Sequence, residues 1–105
     1  MIPVFAVLLE DQPEQAAAIL RRHMEEHLAF LERHRAAIRA AGPLRDAASG
    51  EAAGGLWVVQ VDSAETVAAL IREDSFWPAG LRRPVRILEW RQVRAEGGRR
   101  CQSSE

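Results

Sequence analysis

Runs of consecutive apolar residues alternate with longer stretches in which apolar and charged positions mix. The stretch IPVFAVLLE (2–10) is rich in strand formers and starts at Pro3, where a missing backbone donor is tolerated. DQPEQ then supplies a helix start, with Asp11 as a cap, Pro13 in the first turn and Glu14 near the positive end. A long helix is expected from about Pro13 to Ala40. It should stop at AGPL (41–44), where Gly42 suits the left-handed position after a helix and Pro43 cannot continue it. RDAASGEAAGG (45–55) reads as a loop or as a short strand and turn, and GLWVVQVD (55–62) as a strand apolar on both faces. DSAETVAALIRED (62–74) predicts a second helix with Asp62 capping and Glu65 in the capping-box position. A turn-rich DSFWPAGL and a last strand, RPVRILEW (83–90), complete residues 1–94, and the polar tail 95–105 is expected to be disordered.

The order β-α-(β)-β-α-β is that of a ferredoxin-like α+β sandwich, with both helices on one face of an antiparallel sheet. VFAVLL and LWVV are apolar at consecutive positions, so both sheet faces need cover. The helices cover only one. A second copy of the chain, packed sheet to sheet, is the natural cover for the other, and a homodimer is expected.

Composition narrows the chemistry. At 105 residues and 48% hydrophobic, the chain is a single folded domain. Its net charge of −1, with no basic run inside the folded part, argues against nucleic-acid or anionic-membrane partners. No segment reaches the length of a membrane span and no signal-peptide pattern is seen, so a cytoplasmic protein is expected. Cys101 is the sole cysteine, which excludes an internal disulfide. Lysine and tyrosine are absent, which removes lysine Schiff-base chemistry and a tyrosine acid. GEAAGG does not match a dinucleotide-binding loop, and the reading requires no cofactor.

All three histidines, His23, His27 and His34, lie in RRHMEEHLAFLERH (21–34). On a helix they fall within roughly 40° of one another. The apolar seam of that helix would run through Leu20, Met24, Leu28, Leu31 and Ile38, with His27 about 20° from the line of Leu20 and Ile38 and the other two nearer the flank. His23 and His27 could share a metal ion at i, i+4, but His23 is not followed by glutamate and no further Cys or His in the fold completes a set. His27 suits a general base if a carboxylate fixes its tautomer, and Asp11, Asp46, Asp62 and Asp74 are the candidates. Asp74 stands out because the C-terminal end of a helix gives a carboxylate no electrostatic help.

HLAFL (27–31), AGPL (41–44), the glycine pair before LWVVQVDSAETVAAL (56–70), and DSFWPAGL (74–81) together resemble the YCII-related (YciI-like) family over about residues 2–91. The resemblance implies a dimeric ferredoxin-like α/β barrel, and an active site whose histidine and aspartate match His27 and Asp74. Most members have no assigned reaction; some resemble enzymes that remove chloride from hydroxylated aromatic rings, and related dimeric barrels include lactone isomerases. Three positions depart from the family pattern. Met24 replaces an arginine three residues before the histidine, GG (54–55) replaces glycine-serine, and DS (74–75) replaces DP.

Three functions are weighed, the third a metal-binding protein that uses His23 and His27. In the first, the chain is a lyase or isomerase that moves a proton on a small cyclic or aromatic acidic molecule. His27 is the base or acid and Asp74 its support, while Arg21 or Arg22 binds an anionic group and Phe76, Trp77 and Gly80 contact the substrate. In the second, the chain is a non-catalytic dimer that binds a metabolite or a protein, and His27 and Asp74 are a satisfied core pair.

Overall fold

The structure, a computed structural model, describes residues 2–11, 16–77 and 82–94. Its elements follow the order β1 (Val4–Asp11), α1 (Ala16–Arg33), β2 (Ile38–Arg45), β3 (Ala52–Gln60), α2 (Ala64–Glu73) and β4 (Arg82–Glu89). The four strands form one antiparallel sheet in the order β2-β3-β1-β4, the ferredoxin-like arrangement. The two central strands dictate the core by their period of two. Phe5, Val7 and Leu9 of β1 and Trp57 and Val59 of β3 point to one face and are buried there with Phe30 of α1 and Val67, Leu70 and Ile71 of α2. Val7 pairs with Trp57 on one side and with Ile87 on the other, so this face is apolar across three strands.

The opposite face carries Ala6, Leu8, Leu56, Val58 and Leu88, brought side by side by the pairs Ala6–Val58, Leu8–Leu56 and Ala6–Leu88. Among the described residues no helix covers it, and Leu88 is 39% exposed. At the rim of the sheet, Gly54 has φ of 90°, and a Cβ there would collide with the Leu9 carbonyl oxygen. Only glycine fits that close approach of β3 to β1.

The first helix is shorter than its sequence predicts. It ends at Arg33, and His34–Ala37 form a turn closed by Ala37 N–H to His34 O at 2.9 Å and Ile38 N–H to His34 O at 2.8 Å. Residues 38–45, expected to finish the helix and stop it, are instead strand β2, and Ile38 is buried against the core. Pairing with β3 wins over the helix propensity of the alanine-rich run, since it satisfies a ladder of backbone groups at once. Gly42 therefore has no left-handed backbone, and Pro43 sits in an edge strand, where a missing donor is tolerated. The expected start of the helix at Pro13 and Glu14, and the tail with Cys101, lie outside the described residues.

The seam of α1 is also rotated from its expected line. Met24 is 36% and Leu28 55% exposed, whereas His27 and Phe30 are the buried residues, flanked by half-buried Leu20, His23 and Leu31. Phe30 sets this rotation by packing against Trp57, with ring centroids 5.8 Å apart. In α2 the cap is Ser63 rather than Asp62. The Ser63 hydroxyl accepts the Thr66 N–H at 3.2 Å, while Asp62 accepts from the Thr66 hydroxyl at 3.0 Å.

Candidate functional site

The C-terminal end of α2 comes up against the middle of α1. Asp74 is the residue at which α2 stops; its backbone turns extended (φ −70°, ψ 141°) and its N–H still reaches Ile71 O. A tight turn follows, closed by Trp77 N–H to Asp74 O at 3.0 Å. The Asp74 side chain points back across the helix pair and meets His27. Nδ1 of His27 lies 2.7 Å from Oδ1 of Asp74, between residues 7% and 1% exposed and 47 positions apart in the chain.

With the carboxylate as acceptor, the neutral ring carries its proton on Nδ1, and Nε2 presents a free lone pair. Nε2 has no hydrogen-bond partner among the described residues. Nor is it a dry orphan: of their buried side-chain polar atoms, Oδ2 of Asp74 alone lacks a partner. The dyad is thus asymmetric, with one ring nitrogen committed to Asp74 and the other at liberty to exchange a proton. Leaving Oδ2 dry costs on the order of 1–3 kcal/mol.

The next two residues of the turn also touch α1. The Ser75 hydroxyl donates to the backbone carbonyl of His23 at 3.2 Å. The Phe76 ring, fully buried, stacks on the His27 imidazole with centroids 4.3 Å apart and planes 24° from parallel. The sequence alone points neither to Ser75 nor to this stacking. The signal it offers is the position of both residues directly after Asp74.

Each of the other two histidines also has a carboxylate, in a weaker arrangement. His23 Nδ1 is 3.4 Å from Glu26 Oε1, and His34 Nε2 is 3.4 Å from Glu73 Oε1, both with exposed glutamates. Both histidines are themselves only half-buried, unlike His27. Arg21 and Arg22 are exposed on α1, Trp77 is half-buried against the core, and Gly80 lies outside the described residues. Two of the other candidate acids are engaged elsewhere: Asp62 at the start of α2, and Asp46 in the β2–β3 turn, where it accepts from Ala48 N–H and Ser49 N–H at 2.8 and 3.1 Å. Those amides hold the Asp46 carboxyl below its ordinary 3.8. Among the described residues no three His, Cys, Asp or Glu side chains converge as a metal site, and no helix is long and apolar enough to cross a membrane.

Comparison with known proteins supports the family and the fold. The family model of the YCII-related domain matches residues 4–91. Among solved structures, the chain is similar to the 5-chloro-2-hydroxyhydroquinone dehydrochlorinase TftG of Burkholderia phenoliruptrix AC1100, solved in complex with 2,5-dihydroxybenzoquinone. The TM-score is 0.71 at 25% identity, over 83% of this chain and 92% of that one. A hypothetical protein of Arabidopsis thaliana, solved in solution, shares the fold at a TM-score of 0.53 and 10% identity, over 90% of this chain and 91% of that one. No curated protein matches the sequence significantly.

Proposed function

The chain belongs to the YCII-related family, and from that premise we propose that it is a cofactor-independent enzyme that moves protons on a small hydroxylated ring, with His27 as the base and Asp74 as its support. The observation that carries the reading is the buried 2.7 Å hydrogen bond on Nδ1, which leaves Nε2 as the reactive nitrogen. Asp74 holds the ring in the Nδ1–H tautomer and stabilises the imidazolium that forms when Nε2 takes a proton. The similarity to a dehydrochlorinase suggests elimination of chloride as the reaction.

On a chlorinated hydroxyhydroquinone, Nε2 would take the proton of one ring hydroxyl and return it to the carbon that bears chlorine. This gives the keto tautomer. Loss of a second hydroxyl proton with departure of chloride then yields a hydroxyquinone and HCl, and the balance needs no external oxidant. The dry carboxylate favours such a step, because its charge is not divided among competing donors.

The test is anaerobic incubation with a chlorinated hydroxyhydroquinone, with chloride release measured. The expected result is turnover that falls roughly 10²- to 10⁴-fold in His27→Gln. Equal rates in the two proteins would sink the role of His27. No binding and no chloride from either would move the chain to the reading in which the dyad is a core pair.

The same reading includes a homodimer closed sheet to sheet over the face of Ala6, Leu8, Leu56, Val58 and Leu88. Support comes from the side-by-side apolar pairs on that face, which no helix among the described residues covers. Sedimentation should give twice the chain mass for the wild type and a single chain mass for Leu56→Glu. A wild-type monomer would rule the dimer out.

A further inference from the structure

One bond from Asp74 is not enough to aim the His27 ring. The imidazole can still pivot about its Cβ–Cγ bond within the tolerance of that hydrogen bond, and so tilt Nε2 out of line. Nor is the carboxylate held by other side-chain bonds, since Oδ2 has no partner. Its position depends on where the backbone of the turn 74–77 sits relative to α1.

Two contacts fix these freedoms. The first is the Ser75 hydroxyl on the His23 carbonyl. In α1 that carbonyl is four residues before His27, so it also accepts the His27 backbone N–H. Ser75 therefore grips the peptide group from which His27 itself is hung, and the spacing between carboxylate and imidazole is set through one shared oxygen. The second is the Phe76 ring, whose face lies on the imidazole at 4.3 Å and blocks the pivot. Three consecutive side chains thus hold one histidine by its edge, its backbone anchor and its face.

We propose that Ser75 and Phe76 are positioning residues of the His27–Asp74 dyad. The Ser75 hydroxyl sets its spacing and the Phe76 ring sets the imidazole plane, so that Nε2 is aimed outward. The proposal rests on the dyad reading above and extends it to two residues that act through His27.

The test is ¹⁵N NMR of the histidine rings at a pH where they are neutral, in the wild type, Ser75→Ala, Ser75→Thr and Phe76→Leu, with Asp74→Asn as the reference. Wild-type His27 should hold its proton on Nδ1, and Asp74→Asn should weaken that preference. Ser75→Ala and Phe76→Leu should each lower the tautomer ratio about fivefold, the equivalent of one ordinary hydrogen bond. Ser75→Thr, which keeps a hydroxyl, should restore it. His23 and His34 should not change. If Phe76→Leu fails to fold, the alanine and threonine variants at Ser75, a half-buried turn residue, still decide. A ratio unchanged in Ser75→Ala and Phe76→Leu, but altered in Asp74→Asn, overturns the clamp and leaves the dyad standing. If only one of the two moves it, the claim for the other is overturned. No change in Asp74→Asn overturns the dyad itself, and the clamp with it.

Discussion

Asp46 and Asp74 each open a tight turn after a regular element, and they use their carboxylates in opposite ways. Asp46 folds its carboxylate onto its own turn, where one oxygen accepts two backbone N–H groups in full solvent exposure. This is the usual work of an aspartate in a turn. Asp74 leaves the closing of its turn to the backbone and sends its carboxylate into a dry interface, to a histidine 47 positions away, with one oxygen unpartnered. The first arrangement stabilises the chain locally. The second carries a desolvation cost and gives in return an imidazole with a fixed tautomer and a free nitrogen.

A graded set of variants separates the two aspartates. The largest effect should come from Asp74→Asn, with turnover down about 100-fold or more because the neutral amide no longer stabilises the imidazolium. Its stability, read from a urea midpoint, should change by less than about 1 kcal/mol, since the dry carboxylate was already poorly solvated. A large loss of stability with turnover retained would reverse the assignment and make Asp74 a fold residue. Asp46→Ala should do the opposite, lowering the melting temperature with turnover unchanged, and Asp46→Asn should lower it less because its side-chain oxygen can still accept.

The smallest effect is in the pH dependence of Asp46. Its carboxyl is held below the ordinary value of 3.8 by the Ser49 and Ala48 amides, so its contribution is fully present above pH 3.8 and is lost as pH falls through the folded-state value. The gap in melting temperature between wild type and Asp46→Ala should therefore narrow below pH 3.8. A gap that widens on acidification would mean that the carboxylate does not cap the turn in solution.

Much of this contrast is legible in the sequence. Asp74 stands out there because an acid at the C-terminal end of a helix is unfavourable unless something holds it, and His27 is nearest the expected inner line of its helix. The rotation of α1 is not legible. Met24 and Leu28 look like core residues, yet Phe30 against Trp57 turns the helix towards the histidine stripe and leaves both leucine and methionine exposed. The end of α1 is hidden for a related reason. Ile38 fits the helical period and Gly42–Pro43 fit a helix stop, and only the pairing of Ile38 with Val59 and Pro43 with Gly55 shows a strand there. Local propensity favours the helix; the sheet overrides it. Ser75 is invisible because a serine after an acid has many local uses, and only the third dimension shows which carbonyl it meets.

The strand order also has a consequence in time. β1 lies between β3 and β4, so the first strand of this fold to be synthesised pairs along one edge with the last. At synthesis rates of roughly 5–20 residues per second, that edge waits about 4–16 s for residue 89 to appear. During the wait, Phe5 to Leu9 offer an apolar strand with open backbone groups, a ready target for wrong pairing. The nascent fold is most vulnerable at β1, and it is the arrival of β4 that protects it.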